Sequence, residues 1–290
     1  MSTLARLSNS IHTALRSHLW GREAAGPPPM DYWHLSRTPF ASLLFLLPIL
    51  MLYEAGLYFA GQQADQLRNG ADLWLRQFFD QMTSLLGLPN AGPFLLPALL
   101  VVVLLVWQWR SRSSWQFKAD TGLGMASESL LFAFCLLLMA QSQRAFLEQD
   151  RWLLQTVPTP STDLWPQALS YLGAGLYEEV LFRLLLLPAL FAIFRLVRLS
   201  RHWAIILAVI VSSALFAIAH YIAPTDFFAT TNIWHLLQTR YTHSPGEPLG
   251  LLFRLAAGFV FALLMLYRGI GITIGAHTAY DLMVGILINS

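Results

Sequence analysis

Ionisable side chains are scarce in this sequence, and several stand where nearly every neighbour is apolar. Glu178, Glu179 and Arg183 lie inside SYLGAGLYEEVLFRLLLLPALFAIF, His220 closes SSALFAIAHY, and His277 and Asp281 sit within GIGITIGAHTAYDLMVGI. Glu54, Glu128 and Arg254 complete the set of ionisable residues within apolar stretches. A charge at the centre of a membrane helix costs about 2.5–3.5 kcal/mol on insertion scales, so such residues usually face a cavity or one another. On a helix, Glu179 and Arg183 are i,i+4 neighbours and can pair on one face. Glu178 is about 100° round the helix from Glu179, which leaves it free to act as a general base. Phe216 and His220 share a face, as do His277 and Asp281, whose carboxylate can orient the imidazole. Thr273 extends that last face.

A carboxylate base with two imidazoles can hydrolyse an amide, or it can ligate a metal through Glu178, His220 and His277. The bland alternatives are a packed polar cluster with Arg183 snorkelling and a self-satisfied His277–Asp281 pair. No HExxH, GxSxG or paired-aspartate pattern is present, so zincin-type and serine-nucleophile sites are not indicated. Glu54 and Glu128 each stand alone nearer a span end, and Arg254 is placed to snorkel.

The elements that carry these residues are membrane helices. The chain of 290 residues is 56% hydrophobic and 12% charged, with a mean hydropathy of +0.53. Soluble domains carry about twice that share of charge. Seven stretches are long and apolar enough to span: 39–60, 93–109, 122–140, 167–195, 203–221, 248–267 and 269–288. They lack the alternation of a β-barrel. The expected fold is therefore all-α, a polytopic transmembrane bundle of about seven spans with peripheral interfacial helices. The stretch 167–195 is long for one crossing and should tilt or bend near Pro188. Gly271, Gly275 and the GAG at 173–175 permit close helix approach.

Residues 1–38 form an amphipathic segment and linker with no cleavable signal pattern. Residues 39–120 are an accessory transmembrane scaffold, in which ADLWLRQFFDQMTSLLGL forms an interfacial helix, and 121–290 are the catalytic core. With the N-terminus inside, the inner segments hold Arg6, Arg16, Arg22, Arg37, Arg110, Arg112, Lys118, Arg195, Arg198, Arg201 and Arg268. The outer segments hold only Arg68, Arg76, Arg144, Arg151 and Arg240, so the bias favours an N-in orientation. The basic residues track membrane loops, which gives no support to nucleic-acid binding. The single cysteine, Cys135, excludes an intrachain disulfide and a thiolate metal cluster, and packing is its expected role.

Three motifs in order complete the reading. EEVLFR at 178–183 fits EExxxR, FAIAH at 216–220 fits FxxxH, and HTAYD at 277–281 is close to HxxxN. In this the chain resembles the CPBP family of CAAX-protease and bacteriocin-processing intramembrane endopeptidases, also called the ABI or type II CAAX prenyl endopeptidase family. The resemblance covers about 167–287. It implies an α-helical intramembrane protease acting on a membrane-associated protein or peptide. By that analogy Glu178 activates the attacking water with help from His220. His277 and position 281 stabilise the oxyanion, Glu179 and Arg183 hold the helix in shape, and Phe216 supports the site. The departure is Asp281 in place of the family's Asn: an amide donates to an oxyanion, whereas an ionised carboxylate only accepts. Members have been described as metalloproteases and as glutamate proteases. The reading here favours the metal-free glutamate type with no cofactor, zinc being the alternative, in a bacterial inner membrane. A CAAX-type substrate approaches from the cytosol, whereas N-in topology puts His220 near the outer end of its span, unless 221–247 re-enters the membrane. The competing readings are a transporter or proton relay built on the same acids and histidines, and a non-catalytic immunity or scaffold protein.

Overall fold

The computed structural model describes residues 31–87, 92–147, 164–222 and 247–288. Among them all regular structure is helical. The helices are α1 Tyr32–Leu35, α2 Pro39–Ala60, α3 Ala64–Leu67, α4 Gly70–Leu85, α5 Gly92–Ser111, α6 Ala119–Leu147, α7 Leu164–Glu179, α8 Leu187–Leu196, α9 Arg201–Ala219, α10 Glu247–Arg268 and α11 Ile270–Leu282. The amphipathic segment before residue 31 and the possible re-entrant piece between 223 and 246 lie outside the described residues.

Each of the seven apolar stretches is helical over nearly its whole length. Four spans are long and apolar enough to cross a membrane on their own: Pro39–Leu67, Ala119–Gln143, Arg201–Ala219 and Gly250–Arg268. Leu95–Ser111 and Ile270–Ile286 are shorter apolar helices. Exposed Leu123, Leu130, Leu131, Phe134 and Leu138 on α6 form the kind of surface that lipid, not water, covers. Cys135 is exposed on this helix too, which corrects its expected packing role.

Helix α11 runs through the middle of the bundle, packed against α2, α6, α7 and α10. Every residue from Ile270 to Thr278 is buried, as befits a helix that is apolar or small on all sides. The turn into it is made by Gly269 at φ +84°, a conformation that side chains rarely adopt. Its N–H caps α10 through the carbonyls of Leu264 and Met265. The expected close approach occurs at Gly175, where a Cβ would lie 2.6 Å from the backbone of Thr278. That contact draws α7 onto α11 and sets Glu178 and Glu179 beside His277.

The irregularity expected at Pro188 begins earlier. A π segment, Val180–Leu186, follows Glu179 directly, and Pro188 falls in the first turn of α8. Proline lacks an N–H, and its ring crowds the carbonyl four residues before it; a widened turn absorbs both. The Leu187 N–H bonds Phe182 O, and Ser212 Oγ on α9 donates to the same carbonyl at 2.9 Å. The stretch of helix that follows the acids is thus fastened to α9, which carries His220.

Glu128 does not stand alone. Arg268 donates to both of its oxygens at 2.7 Å, Tyr32 donates at 2.7 Å, and Arg268 also reaches Ser36. This cluster ties α1, α6 and the end of α10 together. Tyr32 lies outside the spans, and burial followed by its bond to Glu128 pushes its phenol up to about 12.

Candidate active site

Three helices bring the ordered motifs together. Glu178 lies at the end of α7, His220 caps the C-terminus of α9, and His277 and Asp281 lie on α11. Glu178 Oε2 lies 3.6 Å from His220 Nε2 and 3.9 Å from His277 Nε2. This oxygen is buried and has no hydrogen-bond partner among the described residues. His220 is the most open of the three, its side chain 27% exposed against 14% for Glu178 and 6% for His277.

The second ring nitrogen of each histidine is already occupied. His220 Nδ1 is 2.8 Å from Phe216 O, which can only accept, so Nδ1 carries a hydrogen and neutral Nε2 keeps a lone pair toward Glu178. His277 Nδ1 is 2.7 Å from Glu179 Oε1, a fully buried carboxylate. The expected orienting group, Asp281, instead faces His277 Nε2 at 3.5 Å. Glu179 and Asp281 thus flank the imidazole at its two nitrogens, and the role of Glu179 extends beyond shaping its own helix. The reason is rotational: α7 packs closely enough on α11, through Gly175, for Glu179 to reach across.

The Glu179–Arg183 pair forms as the spacing predicts, Oε2 to Nε 3.1 Å, with both side chains fully buried. Arg183 also donates to Gly258 O at 3.1 Å and lies over the Phe216 ring at 4.2 Å. Phe216 meets His220 edge-on at 4.8 Å, and Phe261 stacks on His277 at 4.4 Å. Phe216 thus lies against both Arg183 and His220. Phe261 and Gly258 carried no signal in the sequence, since they read as ordinary apolar-helix residues. Thr273 turns back to bond Gly269 O and takes no part. Arg254 donates to the Tyr221 hydroxyl at 2.9 Å.

One contact comes from the segment read as scaffold. Asn69 Nδ2 donates to Glu178 Oε1 at 3.2 Å, while Asn69 Oδ1 caps α4 by accepting from Asp72 N at 2.8 Å. Helix α4 is not simply laid on a surface: its face with Ala71, Asp72, Trp74, Leu75 and Arg76 is buried. Asp72 accepts from Tyr53 at 2.7 Å and from Arg76 Nε at 2.6 Å, and Arg76 Nη2 donates to Glu54 at 2.7 Å. Tyr177, next to Glu178 in the chain, also donates to Glu54. Glu54, expected alone near a span end, is therefore one member of a buried network joining α2, α4 and α7. The signal available beforehand was an Asn before a helix with an Asp three residues on, an N-cap pattern that says nothing about a distant partner.

The described residues thus define an integral membrane protein whose helices gather a carboxylate and two histidines around one buried oxygen. Residues 160–283 match the family model of the type II CAAX prenyl endopeptidase Rce1-like proteins, the family that the three motifs resemble. Searches of curated proteins and of solved structures gave no match. Among the described residues, no group of three or more His, Cys, Asp or Glu side chains is arranged to hold a metal ion.

Proposed function

We propose that this protein is an intramembrane endopeptidase in which Glu178 activates water for attack on a peptide bond of a membrane-anchored protein or peptide. The observation that carries the reading is the convergence of His220 Nε2 and His277 Nε2 on the unpartnered Oε2 of Glu178. A water about 2.8 Å from both Glu178 Oε2 and His220 Nε2 would donate one hydrogen to each and keep a lone pair for the substrate carbonyl. As the water oxygen bonds to the carbonyl carbon, Glu178 takes its proton. With Glu179 at Nδ1 and the Asp281 carboxylate near Nε2, His277 is held as the imidazolium, and its Nε2–H donates to the oxyanion. Collapse of the tetrahedral species breaks the C–N bond, and Glu178 returns the proton to the leaving amine. Asp281, beside the same Nε2, holds that hydrogen in place. No step calls for a metal.

The charge bias supports a cytoplasmic N-terminus, in which the His220 end of α9 faces outward. The test uses purified protein in liposomes with a quenched fluorescent peptide ending in a CAAX sequence, with and without a farnesyl group. Wild type should cleave it. Glu178→Gln and His220→Ala should lose about 100-fold or more in kcat while remaining inserted and folded. Undiminished cleavage by Glu178→Gln would overturn the assignment.

A further inference from the structure

We propose that Asn69 is a positioning residue for the candidate base, so that the catalytic apparatus extends into the half of the chain that carries none of the three motifs. The proposal rests on Glu178 being the base.

The geometry separates the two oxygens of Glu178. Oε1 receives the Asn69 amide at 3.2 Å, and Oε2 is the one turned toward both histidines. A carboxylate held at one oxygen cannot turn about its last bond without giving up that hydrogen bond. The other oxygen is then kept aimed at the gap where water must sit.

The amide itself is oriented by its second task. Its Oδ1 accepts the Asp72 N–H at the start of α4. Exchanging the amide oxygen and nitrogen would set an NH2 against that N–H and a carbonyl against the carboxylate. The N-cap therefore selects the orientation in which Nδ2 points at Glu178. The Asp72–Arg76–Glu54 network in turn fixes α4 against Tyr177, the residue beside Glu178. The cap alone would explain an Asn here; the contact with Glu178, 109 residues away, is what a cap does not require.

The two roles can be separated because Asp and Ser also cap helices but lack the amide donor. The experiment measures kcat, KM and thermal midpoint for Asn69→Asp, Asn69→Ser and Asn69→Ala in liposomes with the fluorescent CAAX peptide, beside Glu178→Gln. The expected result is a fall in kcat of about tenfold or more in all three, with KM within about twofold of wild type. The midpoint should fall only in Asn69→Ala, which loses the cap. If Asn69→Ser and Asn69→Asp keep wild-type kcat and only Asn69→Ala is impaired, Asn69 is a cap and the proposal is overturned. Glu178→Gln separates the two levels. Its inactivity alongside a fully active Asn69→Ser rejects the positioning role alone, whereas cleavage by Glu178→Gln rejects the general base and the positioning role with it.

Discussion

Removing Arg183 should damage stability and activity for different reasons, and the structure allows the two to be told apart. Arg183 is fully buried and makes one ion pair, one hydrogen bond to a helix carbonyl and one close cation–π contact. Arg183→Met keeps most of the packing volume but leaves the Glu179 carboxylate buried with only His277 beside it. Breaking one half of a buried pair costs about 3–5 kcal/mol, chiefly through the uncompensated charge. The cation–π contact, worth about 2 kcal/mol when desolvated, is lost too. The double variant Glu179→Gln/Arg183→Met loses that contact and the Gly258 hydrogen bond equally. The difference between the two variants therefore isolates the stranded charge, and the double variant should regain about half of the lost stability or more. Activity should not follow. The amide oxygen introduced by Glu179→Gln can still accept from His277 Nδ1, but it brings no charge, and such a partner loss costs about 10–100-fold. Denaturant titration in detergent gives the stabilities, and peptide hydrolysis gives the rates. If the double variant is no more stable than Arg183→Met, packing and not charge holds this corner of the bundle. If the double variant is as active as wild type, Glu179 has no part in setting His277.

Gly175→Ala should destabilise the protein by about 1–3 kcal/mol and depress hydrolysis, because its Cβ would meet the Thr278 backbone at 2.6 Å and push α7 off α11. Gly56→Ala, which meets only the end of the Leu169 side chain, should be milder in the same two assays. Chelators should leave hydrolysis unchanged; loss of activity restored by added zinc would replace the metal-free reading. In a Cys135→Ser background, Gln116→Cys should react with an impermeant thiol reagent only from the cytoplasmic side and Gln62→Cys only from the other; the reverse pattern refutes the N-in orientation. Tyr32 predicts a pH effect. Its folded pKa, about 12, stands above the ordinary 10.0, so the stability from its neutral phenol is complete below pH 10.0 and is lost as pH rises toward 12. Tyr32→Phe should lack that component, which unfolding measured across this range will show.

Much of the site was legible in the sequence because membranes leave few reasons to bury a charge. Hydropathy located the spans, i,i+4 spacing paired Glu179 with Arg183 and set Phe216 beside His220, and small residues marked where helices would touch. These are properties of single helices, so one stretch of chain is enough to read them. Which faces meet depends on how each helix is rotated about its own axis against its neighbours, and that is decided by packing across the whole bundle. Glu179 and His277 are 98 residues apart, Asn69 and Glu178 are 109 apart, and nothing local to any of them names its partner. Sequence was enough to place a glutamate and two histidines within apolar helices. The packing of the whole bundle was needed to show which carboxylate meets His277 Nδ1, which oxygen of Glu178 lacks a partner, and that an asparagine from the motif-free half reaches the other.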